Sequence, residues 1–126
     1  MSNLIEIAGR ILLGAIFLMA GINKIGAGYE GTAGYMDSMG VPGSLLPLVI
    51  LLEVVGGLMV MTGYKVKWAG YALAGFTLVA GVIFHSNFGD QMQSILFMKN
   101  LSIAGGLLLL ATHGAGMWSL DKKLSK

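Results

Sequence analysis

Four stretches of this 126-residue chain stay apolar for nearly the length of a bilayer crossing. They cover residues 4–25, 45–63, 68–84 and 95–112. A hydrocarbon core ~30 Å thick needs about 20 helical residues at ~1.5 Å each. Inside lipid every backbone N–H and C=O must be satisfied within the chain, so each run is expected to be a helix. Charged residues make up 11% of the chain and hydrophobic ones 56%, whereas a soluble domain carries about 25% charged. The expected fold is all-α, a single integral-membrane four-helix bundle with no separate soluble domain. Read instead as a cleaved signal peptide, the first run would offer small residues at Leu18–Gly21. Glu6 beside Arg10, and Asn23–Lys24 at the far end, read better as the ends of a retained helix.

The basic residues orient the bundle. An even number of spans puts both termini and the middle loop on one side. That side holds Arg10, Lys65, Lys67, Lys122, Lys123 and Lys126, and the other holds only Lys24 and Lys99. Both termini are therefore expected in the cytoplasm. The first outer loop, residues 26–47, is glycine-rich and half apolar. Tyr35, Met36 and Met39 suit a short interfacial helix there, with Pro42 and Pro47 bracketing the entry to the second span. In the third span Gly70, Ala74, Thr77 and Gly81 share one face of small residues, which suits close helix packing. Gly56–Gly57 and Gly105–Gly106 offer the same to the second and fourth spans. The C-terminal segment from Ser119 reads as a solvated end whose lysines set topology.

Glu53 stands alone in an apolar run from Leu48 to Met61. A charge at the bilayer centre costs ~2.5–3.5 kcal/mol on insertion scales, so it is expected to face the interior and to have a partner. Counted along its helix, Glu53 lies ~12 Å below the outer end and Lys99 ~6 Å below it. A lysine stem spans that difference. Lys99 is the expected partner, with Asn100 or Lys24 nearby. Arg10 is the second choice, because the cytoplasmic interface and Glu6 one turn earlier are closer to it. The cluster is read as a structural clip or as the polar lining of a ligand or ion cavity; a third reading leaves Glu53 protonated and unpaired, since burial favours the neutral carboxyl.

His85 and His113 fall at opposite membrane faces and cannot share a metal. His85 is a candidate member of the outer cluster. No metal is expected, and no phosphate loop, nucleophile triad or basic nucleic-acid patch is present. Cysteine is absent, which removes thiolate and iron–sulfur chemistry. The tyrosines, Trp68 and Trp118 fall mostly near helix ends, as an aromatic belt does.

Four landmarks follow in order: GRILLGAIFLMAGINKI (Gly9–Ile25), MGVPGSLLPLVILLEVVGGL (Met39–Leu58), FHSNF (Phe84–Phe88) and FMKNLSIAGGLLLLATHGAGMWSLD (Phe97–Asp121). Together they resemble the DoxX family of small bacterial inner-membrane proteins, especially its short stand-alone members. The resemblance implies a multi-pass inner-membrane protein of four spans. It also implies that Arg10, Lys24, Glu53, Lys99 and Asn100 occupy the family's recurrent polar positions. Some relatives are subunits of a thiosulfate:quinone oxidoreductase, and others associate with membrane oxidoreductase complexes. With no cysteine and no recognisable redox centre, independent catalysis is not expected of this chain.

Three functions compete. The first is a membrane subunit that binds a quinone-like or lipid-like amphiphile at the outer polar cluster and is linked to membrane redox complexes. The second is a scaffold whose buried charges are structural and whose small-residue face docks a partner or a second copy. The third is a carrier for a small solute or a proton.

Overall fold

A computed structural model describes residues 2–85, 89–117 and 119–124. The expected Trp118 anchor, Lys126 and part of the FHSNF landmark lie outside them. The described residues form helices and turns with no strand. Four helices are long and apolar enough to span a bilayer: α1 (Ser2–Asn23), α3 (Leu46–Thr62), α4 (Val66–Phe84) and α5 (Gln91–His113). A short helix, α2 (Tyr29–Ser38), forms in the long loop between α1 and α3, and α6 (Leu120–Leu124) ends the chain. One end of the bundle, here the terminal end, carries the start of α1, the α3–α4 turn and α6. The opposite, distal end carries α2 and the α4–α5 connection.

Local chemistry explains the boundaries. Pro47 sits in the first turn of α3, where its missing N–H costs nothing. Gly63 ends α3 in the left-handed region (φ 76°), a conformation open to glycine. Helix α5 begins at Gln91, before the apolar run at Ile95. The Asp90 carboxylate accepts from Met92 N at 3.0 Å and caps an early polar turn.

The spans pack as two pairs. Helix α1 lies against α3 and α4 against α5, and a narrower α3–α4 contact joins the pairs. Glycines set the first pairing. A Cβ on Gly14 would lie 2.6 Å from Gly57 O, and one on Gly57 would lie 2.9 Å from Gly14 O and Leu18 N. In the second pair, a Cβ on Gly70 would lie 2.9 Å from Ala111 Cβ and Leu107 O. The small face Gly70, Ala74, Thr77 and Gly81 is buried throughout, so these residues serve packing inside the bundle. They are not left over to dock a partner. Gly105 and Gly106 depart from expectation: Gly105 faces open space and Gly106 meets only Leu13 at ordinary contact distance. The tight core, Phe17, Val60, Leu73, Ala104 and Leu107 among its members, lies in the middle and terminal half.

The C-terminal segment is not merely solvated. Asp121 folds back onto the α3–α4 turn, where its carboxylate accepts from Lys65 N at 2.5 Å and Val66 N at 3.0 Å. Its own N–H donates to Gly63 O at 2.8 Å. It thereby satisfies amides at the start of α4 that have no intrahelical partner, and it holds Lys65 in a left-handed conformation (φ 46°). Asp121→Ala should cost about 1 kcal/mol, toward the middle of the range for a lost cap. Unfolding in mild detergent would measure it, with Lys123→Ala as a neutral control.

Candidate functional site

Tight packing in the terminal half leaves the distal half open. A cavity of about 460 Å³ lies between the helix pairs, walled by Phe17, Val49, Phe76 and Ile103 and covered by Met36 of α2. Its size falls within the usual range of small-molecule sites, and its lining has the usual makeup, mostly apolar with a few convergent polar groups.

Glu53 is one of those groups, and it is only 4% exposed. Its partner is Lys24, whose Nζ donates to Glu53 Oε1 at 2.7 Å. Lys24 also donates to Ala20 O at 3.3 Å, so the side chain folds back along α1 into the membrane, the direction helical side chains favour. Gly21 makes the meeting possible. A Cβ there would lie 3.1 Å from Glu53 Cβ and 2.7 Å from a Val54 methyl. The glycine lets α3 approach α1, and Lys24, three residues on, then covers the carboxylate.

The expected Glu53–Lys99 pair does not form. Helix α5 packs on α4 and not on α3. Lys99 is exposed on the outward face of α5, beside Ser94, Ile95, Met98 and Ser102. Asn100 turns inward instead, donating from Nδ2 to Thr77 O at 3.1 Å and lining the cavity. Arg10 is also remote, ~21 Å along α1 from Lys24. It is 4% exposed at the terminal end. There its guanidinium packs against Gly63 and feels the charges of Glu6 and Asp121. His85 lines the distal mouth, its Nδ1 2.9 Å from Gln93 Oε1.

Thr77 is the member that sequence reasoning assigned only to packing. It is 4% exposed and lines the cavity, and its Oγ1 has no hydrogen-bond partner among the described residues. A buried hydroxyl without a partner carries a penalty that a bound polar group would relieve. The available signal was its place as the one polar side chain on the small-residue face of α4. Counted at ~1.5 Å per residue from the distal ends of their helices, Glu53, Thr77 and Asn100 all lie ~10–14 Å deep. Three helices thus bring polar groups to one level. Lys24 Nζ joins them with a third N–H beyond its two bonds, since an ammonium has three donors.

Over the distal mouth, Tyr35 of α2 stacks on Phe84 of α4 with ring centroids 5.3 Å apart. Asp37 accepts from Gly43 N at 2.7 Å and ties α2 to the entry of α3. The loop helix expected around Tyr35 and Met36 is therefore present, and it forms the roof of the cavity.

Comparison with known proteins bears on this arrangement. The DoxX family profile matches residues 6–86, which contain Arg10, Lys24, Glu53, Thr77 and His85. The chain is 50% identical to inner membrane protein YqjF of Escherichia coli K12, over 95% of this chain and 92% of the relative. It is 36% identical to inner membrane protein YphA of the same organism, over 90% and 86% of the two chains. It is 31% identical to the Bacillus subtilis 168 protein named "Putative oxidoreductase CatD", over 82% and 72%. No solved structure matches.

Proposed function

The chain belongs to the DoxX family of small inner-membrane proteins, and from that premise we propose that it is a membrane subunit whose distal cavity binds a quinone-like or lipid-like amphiphile. The observation that carries this reading is Thr77 Oγ1, buried without a partner among the described residues at the level of the Lys24–Glu53 pair in a mostly apolar cavity. A carbonyl or hydroxyl head would accept from Lys24 or Thr77, and a hydroxyl head could donate to Glu53. The name of the CatD relative favours a link to membrane redox chemistry. Reducing a quinone takes two electrons and two protons. Glu53 and Lys24 are placed to pass protons to a bound head, and the electrons would come from a partner oxidoreductase.

The test is native mass spectrometry of protein released from mild detergent, followed by solvent extraction. Wild type should carry a stoichiometric amphiphile, and Glu53→Gln should lose most of it while keeping its fold. A ligand-free wild type, or unchanged retention in Glu53→Gln, would sink the reading and leave the pair as a structural clip.

The excess of Lys and Arg at the terminal end supports the orientation proposed with it, both termini cytoplasmic and the cavity in the outer half. A C-terminal alkaline phosphatase fusion should be inactive and a C-terminal fluorescent protein bright. The reverse pattern would invert the assignment.

A further inference from the structure

We propose that the cavity is entered sideways, through a slot between α1 and α4, by an amphiphile whose head is uncharged and whose hydrocarbon chain remains in the slot. This rests on the amphiphile reading of the cavity and adds the route and the charge of the head.

The slot follows from the packing. Helix α1 belongs to one pair and α4 to the other, and the two scarcely touch. Ile16 on α1 and Val79 on α4 both line the cavity, yet they are 48% and 58% exposed. Side chains that face a cavity and the exterior at once mark an opening. Ile16 lies two turns before Lys24, ~10 Å below the distal end of α1, and Val79 lies ~8 Å below that of α4. Half of a ~30 Å hydrocarbon core is ~15 Å. The opening therefore faces acyl chains, at the level of Glu53, Thr77 and Asn100. Its edges, Ile16, Ala20, Val79, Ala80 and Ile83, carry no polar side chain.

Among the described residues, α2 roofs most of the water side, although Tyr35, which also lines the cavity, is 49% exposed. Met36 of α2 is 5% exposed above the cavity, and Tyr35 is stacked on Phe84 beside it. A molecule from solvent would have to pass α2 and the stacked Tyr35 and Phe84 rings, whereas one already dissolved in the bilayer would not.

Depth and charge then select the head. A charged group near the bilayer centre costs ~2.5–3.5 kcal/mol on insertion scales, so amphiphiles with ionised heads keep them at the interface, away from the slot. Inside, Lys24 and Glu53 already neutralise each other at 2.7 Å. A second anion would meet the Glu53 carboxylate in a low-dielectric site, where like charges repel strongly. An uncharged carbonyl or hydroxyl head meets neither obstacle and can use Thr77 Oγ1 and the third Lys24 N–H. A cavity of about 460 Å³ accommodates such a head, and a long chain has the slot as its way out.

The experiment places the protein in phosphatidylcholine liposomes with a trace of a long-chain alcohol bearing a photoactivatable diazirine beside its hydroxyl. Adducts are mapped by mass spectrometry in wild type, Ile16→Trp, Val79→Trp and the control Leu12→Trp. Leu12 is 76% exposed and does not line the cavity. All three positions already face the exterior, so the bundle should assemble in each variant. Wild type and Leu12→Trp should be labelled around Ala20, Thr77 and Ile103. The two slot variants should lose that labelling by roughly tenfold, equivalent to about 1.4 kcal/mol of binding. The corresponding long-chain carboxylate at alkaline pH should label only helix ends. Undiminished cavity labelling in both slot variants, or equal labelling by the carboxylate, would overturn the proposal. If the slot variants purified from cells still carry the wild-type amphiphile, the route is wrong and the binding reading stands. If wild type is neither labelled in the cavity nor loaded with amphiphile, both fall.

Discussion

Lys24→Met should destabilise the protein by about 3 kcal/mol, the low end of the cost of removing one partner of a buried ion pair. The cost falls on Glu53, which is 4% exposed and has Lys24 as its ion-pair partner. Glu53→Gln should cost less, about 1 kcal/mol, because the amide keeps the volume and still accepts from Lys24. Lys24 itself is better placed to survive alone, since its side chain is 24% exposed near a helix end and can turn toward the interface. The double variant Lys24→Met, Glu53→Met should return to within about 1 kcal/mol of wild type, since a buried pair exchanged for apolar groups is often nearly neutral. Unfolding by a denaturing detergent titrated into a mild one reads all three. Equal costs for the two single variants would mean that the carboxylate is not buried as described.

The second large effect is expected at the α1–α3 crossing. Gly14→Leu and Gly57→Leu should each cost about 3 kcal/mol, the upper part of the range for overpacking. At both positions backbone atoms are in the way: Gly57 O, together with the Met61 side chain, for Gly14, and Gly14 O and Leu18 N for Gly57. A helix cannot move its own carbonyls aside as it moves a side chain, so the pair must separate. That separation also carries Lys24 away from Glu53, so loss of bound amphiphile should accompany loss of stability. Gly75→Ala and Gly105→Ala make the contrast. Both glycines face open space, and alanine there should be neutral or gain up to about 1 kcal/mol in helix propensity. If the four glycines respond alike, composition and not close approach governs the packing.

The partnership at Glu53 separates what was legible from what was not. That a carboxylate amid Leu, Val and Gly would turn inward and find a cation followed from the cost of a lone charge in lipid. Which cation did not follow. Depth along each helix favoured Lys99, but depth ignores rotation about the helix axis and the order of helices in the bundle. Adjacent residues differ by ~100° around a helix, so Lys99 faces outward while Asn100 faces the cavity. The clue to Lys24 was present as Gly21, three residues earlier on the same face of α1. A glycine and a lysine spaced i, i+3 become a site only once α3 is known to lie against that face. Arg10 and Asp121 teach the same lesson at the other end. Their residues are 111 apart in the chain, and only the fold-back of the C-terminal segment brings both charges to the α3–α4 turn.

The number of spans, their helical form, the short loop helix, the buried small-residue face of α4 and the inward turn of Glu53 were determined by the sequence alone. Each is enforced residue by residue, by the demand of hydrocarbon that backbone groups be satisfied and charges be hidden. The pairing of α1 with α3 and α4 with α5, the choice of Lys24 over Lys99, the capping role of Asp121 and the cavity itself were decided by the tertiary structure. Lipid is as apolar as the helices it surrounds, so hydrophobicity does not choose between neighbours in a membrane. Close backbone approach at a few glycines chooses them, and that depends on the rotation and stagger of whole helices, which no local pattern encodes.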